Sequence, residues 1–427
     1  MRSKETSTSS ILFWNLLGNL SAAAVSVLYL MIVSRYTSSF AADQFSIAYS
    51  FGNLWIIIGM FQIRNFQGTD VGHRFEFWDY FLARVITTAL MLITCIPYLY
   101  FSGFSIEDQF SLSIVLLLIA YRFFDAWSDL FQGQFQKFER LDIAGKLMLG
   151  RYTLSFLTFS AVLILSQSLL RALVILVLLN LVFCTFIEFP LTNKMEHLQF
   201  PKKGQALKIK DSFQILKECF PLFLSGFLIN IIFNEPKFAI DTALRQGLLY
   251  SGVQRDYNIL FMPAFVMSLC ILIIRPLITK MAKSWAYKQY KEFTDTLVKI
   301  FIGIFIMSIL SILLAYFIGI PVLNLIFGVD LNNNLPSLII LIISGILYSC
   351  SLVIENILTI FRKQSYLVWL IVLLIIFSKI VTFPLVEKMG LLGGALSFFY
   401  TMLLYTLGSI AIYIVVKIRL SSKTREN

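Results

Sequence analysis

Charge is scarce in this chain: only 14% of its 427 residues are Asp, Glu, Lys or Arg. A soluble protein carries about 25%. That shortage excludes an ordinary soluble fold. With 58% hydrophobic residues and a mean hydropathy of +0.81, the chain reads as an integral membrane protein. Histidine is nearly missing, since His73 and His197 are the only 2 and lie far apart. The 5 cysteines (Cys95, Cys184, Cys219, Cys270, Cys350) fall singly in or beside different apolar runs. Without a CxxC or Cys/His cluster there is no basis for a metal site or a disulfide framework, and the cysteines read as small apolar filler. Also lacking are GxGxxG, Walker, GxSxG and HExxH sequences, aspartate-rich metal motifs and any segment resembling a soluble domain. No cofactor, metal or catalytic residue is therefore expected, and transport rather than enzymatic chemistry is the default.

Long apolar runs are what the sequence does have. Crossing about 30 Å of hydrocarbon takes about 20 mostly apolar residues, and about twelve runs qualify. They cover 11–33, 41–62, 78–101, 111–132, 147–166, 169–190, 213–233, 257–275, 297–319, 337–358, 366–386 and 391–416. Asp43, Gln44 and Asn53 dilute the second, and Pro263 interrupts the eighth. Breaks of this kind are tolerated where freed backbone faces protein or a wet cavity. Arg2 and Lys4 ahead of the first run imitate a signal peptide, but 11–33 is too long for one and reads as a retained span.

The net charge of +11 is not massed in one domain, which excludes a nucleic-acid partner. Most basic residues fall in alternate connections between runs, which predicts that both termini are cytoplasmic. The basic segment 191–212 reads as a cytoplasmic linker between a six-helix half at 1–190 and another at 213–416, with a cytoplasmic tail at 417–427. Asn19, Ile63-Arg64 and Arg151 recur at corresponding places as Asn230, Ile274-Arg275 and Arg362, which favours two parallel halves. The expected fold is thus all-α, with about twelve transmembrane helices in two halves.

A charge inside a span costs about 2.5–3.5 kcal/mol on insertion scales, so it faces a bundle interior or a wet cavity. Arg84, Arg122, Asp125, Asp129, Glu188, Glu355 and Lys379 are the candidates. In AYRFFDAWSDLFQGQFQ (120–136), Arg122, Asp125, Asp129, Gln132 and Gln136 follow steps of three and four and share one helix face. Arg122 and Asp125 could simply neutralise each other. Arg84, Glu188 and Lys379 lie near enough to a span end to snorkel. In FNEPKFAID (233–241), Glu235, Lys237 and Asp241 read either as a capped, solvated helix end with a proline stop or as an outer gate of ion pairs. Between spans two and three, Gly68, Thr69 and Asp70 read as a turn rather than a phosphate cradle, and Arg64 and Arg74 could meet lipid phosphates.

The twelve runs, the basic central segment and R-N-F-Q-G-T-D at 64–70 resemble bacterial polysaccharide flippases. These are the O-antigen and capsule repeat-unit translocases of the multidrug/oligosaccharidyl-lipid/polysaccharide exporter superfamily. DLFQGQFQKFERLDIAG (129–145) and CFPLFLSGFLINIIFNEPKFAID (219–241) add to the likeness. The resemblance implies a central cavity between the halves, and transport of an undecaprenyl-diphosphate-linked oligosaccharide across the bacterial cytoplasmic membrane by alternating access. It implies Arg84, Arg122 and Lys379 on the path of the anionic head group. Asp125 and Asp129 would pair with the arginines or serve a coupling ion, proton or sodium. Implied partners are the lipid-linked diphosphate, membrane lipids and proteins of polysaccharide assembly. The competing readings are a drug or toxic-cation exporter of the same superfamily and a polymerase or ligase of polysaccharide assembly.

Overall fold

A computed structural model describes residues 8–70, 74–101, 108–196, 209–269, 271–361, 363 and 365–426. His73, His197, Cys270, Arg362 and the middle of the basic segment 191–212 lie outside the described residues. The described chain is helical, and it forms two compact units, Met1–Phe227 and Leu228–Asn427.

The first unit contains α1 (Thr8–Tyr36), α2 (Ser39–Met60), the short α3 (Ile63–Thr69), α4 (Phe77–Phe101), α5 (Gln109–Lys137), α6 (Leu141–Ser166), α7 (Leu169–Phe183) and α8 (Phe189–Glu196). A π-helical turn, Cys184–Glu188, joins the last two. The boundary between the units falls inside α9 (Ile209–Arg245). The second unit continues with α10 (Val253–Leu269), α11 (Ile271–Ala286), α12 (Tyr290–Leu314), α13 (Ile320–Phe327), α14 (Leu335–Ile360) and α15 (Ser365–Glu426). Gly390, at φ 57°, breaks the helical path inside α15, so this stretch is two helices in series.

Among the described residues, 9 helices are long and apolar enough to cross a membrane. Each run read from the sequence falls on a helix, the eighth across α10 and α11 and the last two on either side of Gly390. α2 has the length of a span but not the hydropathy, because Asp43, Gln44, Ser46, Ser50 and Asn53 dilute it. Its polar residues are mostly turned inward: Asp43, Ser46 and Ser50 are buried.

Local chemistry sets several helix ends. Ser38 caps α2 by accepting from the Ala41 amide, and Ser168 caps α7 by accepting from the Arg171 amide. Asp108 caps α5 by accepting from the amides of Phe110 and Ser111 and from the Ser111 hydroxyl. The hydroxyl bond leads, and together these bonds hold the Asp108 carboxyl below its usual range. α2 stops at Phe61 and Gln62, both in the left-handed region at φ 48° and 58°. Their strain is offset by packing: Phe61 is buried and stacks on Phe223 at 4.2 Å between ring centres.

α1 and α6 pack with almost no side chain between them. A Cβ on Gly145 would lie 2.0 Å from the Trp14 carbonyl oxygen, and one on Gly18 would lie 2.7 Å from the Gly145 Cα. Small residues at such crossings are the usual way for membrane helices to gain packing energy.

Two expectations are corrected. The connection expected at 234–256 is helical as far as Arg245, so Pro236 does not stop the seventh span. A proline is tolerated in a membrane helix where neighbours satisfy the freed backbone. The connection expected between the second and third spans contains the short helix α3, and α4 begins at Phe77, one residue ahead of the expected span.

Candidate functional site

The charged stripe of α5 lies in the interior of the first unit. Arg122, Asp125, Asp129 and Gln132 are buried, and only Gln136 is half-buried. Each aspartate bridges two arginines. Asp125 Oδ2 accepts from Arg122 Nη1 at 2.6 Å, and its Oδ1 lies 2.8 Å from Arg151 Nη2 on α6. One turn further along, Asp129 Oδ2 accepts from Arg84 Nη2 on α4 at 2.8 Å, with Arg64 Nη1 on α3 3.7 Å from its Oδ1. The two aspartates thus tie α3, α4, α5 and α6 together.

Neutral donors and acceptors complete the network. Arg84 Nη1 donates to the Gly59 carbonyl at 2.5 Å, and the Thr87 hydroxyl donates to the same oxygen. Arg64 also donates to Gln132 at 2.6 Å and Gln136 at 3.3 Å. Gln132 donates its side-chain N–H to Ser128, whose hydroxyl donates to Glu188 Oε1 at 2.7 Å. Cys184 donates its thiol to the other Glu188 oxygen at 3.4 Å, so this cysteine is not mere filler. Arg151 Nη1 donates to Asn180 at 3.3 Å, and Asn180 donates to Ser155. Each carboxylate and guanidinium of the network thus has a partner of opposite charge or a hydrogen bond, since an unpaired charge there would cost several kcal/mol. The Nε atoms of Arg84, Arg122 and Arg151 meet no acceptor among the described residues.

Arg122 is held differently from the others. Its Cζ lies 4.5 Å from the Tyr49 ring centre and 5.1 Å from that of Tyr121, so aromatic rings flank the guanidinium. Its Nη2 donates to the side-chain oxygen of Asn53 on α2. Gly52 makes room for the arginine stem, whose Cγ would lie 3.3 Å from a Cβ placed there.

The remaining sequence candidates have other surroundings. Arg84 and Glu188 are each 0% exposed, which corrects the snorkelling alternative for both. Arg122 does neutralise Asp125, but Asp125 answers to a second arginine as well. Lys379 belongs to the second unit, where its Nζ lies 2.5 Å from Glu235 and its side chain is 54% exposed. Asp241 pairs with Arg245 at 2.7 Å, and Lys237 Nζ lies 4.7 Å from the Phe261 ring centre. Glu235, Lys237 and Asp241 therefore each have a different partner. Glu355 is half-buried on α14.

At the 64–70 motif, Asp70 accepts from the amides of Arg74 and Phe75, from the Tyr80 hydroxyl at 2.9 Å and from Lys137. Burial alone would raise this carboxyl, but the bonds outweigh it and hold it below the usual range. Gly68 packs against Gln136, Arg64 lies under Asp129, and Arg74 pairs with Glu218 at 2.8 Å. The motif is a clasp joining α3, α4 and α5 rather than a phosphate cradle.

Sequence reasoning missed Arg151, Asn53 and Asn180 as members of the network. Arg151 was detectable, since it lies inside the apolar run 147–166 and obeys the same rule as Arg84 and Arg122.

No family model matches the chain. A capsular polysaccharide biosynthesis protein of Staphylococcus aureus, CapF, is 26% identical over 293 residues, which is 67% of this chain and 70% of that protein. Among solved structures, a MATE-family multidrug resistance transporter of the MOP superfamily in an inward-facing conformation is 14% identical. It matches with a TM-score of 0.66 over 96% of both chains. The lipid II flippase MurJ in an inward closed conformation is 15% identical, with a TM-score of 0.67 over 96% of this chain and 87% of its own. The Vibrio cholerae MATE transporter VcmN in the bent form is 14% identical, with a TM-score of 0.57 over 96% of both. The chain has the fold of these transporters and is an all-α, multi-pass integral membrane protein.

Proposed function

We propose that the protein moves undecaprenyl-diphosphate-linked oligosaccharide repeat units across the bacterial cytoplasmic membrane by alternating access, for surface polysaccharide synthesis. The observation that carries this reading is the double bridge, Arg122–Asp125–Arg151 and Arg84–Asp129–Arg64. An exporter of cations needs a carboxylate able to meet its cargo. Here both aspartates of α5 are already neutralised by two guanidiniums each, and the guanidiniums outnumber the carboxylates. An interior of that balance suits an anionic head group. The likeness to a capsular biosynthesis protein supports the same cargo class, and the fold shared with transporters supports transport over polymerase or ligase chemistry.

In this reading Arg84, Arg122 and Lys379 mark the head-group path. Asp125 and Asp129 hold the arginines or exchange a coupling ion, and Glu235, Lys237 and Asp241 belong to an outer gate. Segments 1–190 and 213–416 are the two moving halves, joined by 191–212, with both termini cytoplasmic. The MATE likeness favours one rival, export of drugs or toxic cations. Deleting the gene separates the two. Accumulation of lipid-linked repeat units in the inner leaflet is the expected result, whereas normal surface polysaccharide with altered drug tolerance overturns the proposal.

A further inference from the structure

The guanidinium of Arg122 has one edge unfinished. Its Nη1 is committed to Asp125, and the rings of Tyr49 and Tyr121 lie beside it. The opposite edge carries Nη2 and Nε. Nη2 donates to the single carbonyl oxygen of Asn53, and Nε is buried and meets no acceptor among the described residues. A buried donor left unpaired is costly, and buried donors in folded proteins almost always find an acceptor. The Nε–Nη2 edge is also the one that receives two oxygens of a phosphoryl or carboxylate group side by side. It holds the one Asn53 oxygen, where a guanidinium fork can pair with two.

Asn53 has the opposite character. It is an exposed amide near the middle of α2, a helix otherwise buried along most of its length. Arg122, its hydrogen-bond partner, is only 8% exposed. An exposed polar residue at that depth faces water rather than hydrocarbon. Arg84 and Arg151 also carry an unpartnered Nε, but each is 0% exposed and has no exposed neighbour on that edge in the hydrogen-bond network. Arg64 also reaches the surface, with 20% of its side chain exposed, but its Nε already donates to Gln136. Arg122 with Asn53 is therefore where an accessible residue meets an arginine edge that lacks an acceptor.

We infer that Asn53 is an exchangeable stand-in: its side-chain oxygen occupies the Arg122 edge in the empty protein, and a phosphoryl group of a diphosphate displaces it to bind Nε and Nη2 together. This rests on the anionic-cargo reading and adds the residue that guards the site. Displacement gives the guanidinium its second acceptor without disturbing Asp125 or Arg151. The arginine therefore need not break a buried ion pair to take its cargo.

The test is a binding titration of undecaprenyl diphosphate to the purified full-length protein in detergent, read by native mass spectrometry, with inorganic pyrophosphate as competitor. Asn53→Asp places a permanent carboxylate on the edge and should weaken binding roughly tenfold or more. Asn53→Ala removes the stand-in and should bind at least as tightly as the wild type. Because Asn53 is exposed, both variants are expected to fold, and a matched thermal unfolding profile checks it. Weaker binding by Asn53→Ala would make Asn53 a direct ligand and overturn the exchange. Binding that ignores both variants overturns the exchange and leaves the cargo reading standing. No binding by the wild type overturns the cargo reading itself. Pyrophosphate that competes in an Asn53-dependent way supports a site that reads the free diphosphate. Failure of pyrophosphate to compete, with Asn53 dependence retained for the lipid, supports a site that reads the diphosphate of a lipid.

Discussion

The two units use different means to hold apolar helices together. In the first, buried ion pairs join residues distant in sequence: Arg84 with Asp129, and Arg151 with Asp125. In the second, Asp241 with Arg245 and Asp256 with Arg255 are local pairs whose arginines keep 27% and 13% of their side chains exposed, and the long-range pair of Lys379 with Glu235 leaves its lysine 54% exposed. Its deeper polar residues are mostly hydroxyls that return to their own helix, as Ser344, Ser349 and Thr401 do. Ser351 and Thr406, 3.0 Å apart, link α14 to α15. A local pair adds little to tertiary structure, whereas a long-range buried pair fixes which helices meet and at what height. The first unit is specified by charge and the second chiefly by shape.

The contrast is open to several tests, the largest effect first. Asp125→Ala strands two buried guanidiniums and should cost about 3–5 kcal/mol. Asp241→Ala releases a partly exposed arginine and should cost about 1 kcal/mol or less. Thermal unfolding of the detergent-solubilised protein measures both, and equal losses would erase the distinction. Gly145→Ala should cost about 1–3 kcal/mol by overpacking the α1–α6 crossing. Gly345→Ala should cost about the same, because its Cβ would lie 2.5 Å from the Ala264 carbonyl oxygen. Similar losses would show that close helix approach is common to both units, leaving charge as the real difference.

A smaller effect concerns the Asp70 clasp of the first unit. Its carboxyl is lower in the folded protein than in the unfolded chain, so its contribution is complete above the ordinary aspartate value. That contribution fades as pH falls through the folded value. Hydrogen exchange at the amides of Arg74 and Phe75 should accelerate over that acid range, and Asp70→Asn should remove the dependence. The smallest change is expected for Ser351→Ala, about 0.6 kcal/mol, the average for a hydrogen bond between membrane helices.

Much of the first unit was legible from spacing. Steps of three and four from Arg122 to Gln136 placed the stripe on one face of α5, and the cost of charge in hydrocarbon placed that face inward. What spacing could not supply was the partner across the bundle. Arg84 and Asp129 stand 45 residues apart, and nothing local joins them. The Gly18–Gly145 crossing was equally hidden, because two glycines distant in sequence carry no sign that their backbones touch. At Pro236 a local rule misled, since a proline that ends a helix in water need not end one packed among other helices.

The double bridge also bears on how the chain enters the membrane. α5 carries Arg122, Asp125 and Asp129, each costing about 2.5–3.5 kcal/mol near the centre of an isolated helix. Arg84 sets a similar obstacle for α4. Neither helix is well suited to leave the insertion machinery alone, while together they cancel charge through Arg84 and Asp129. α4 and α5 thus have reason to enter lipid as a hairpin. Asp125 then awaits Arg151 on the next helix to be made, so the order of synthesis matches the order in which the buried charges find their partners.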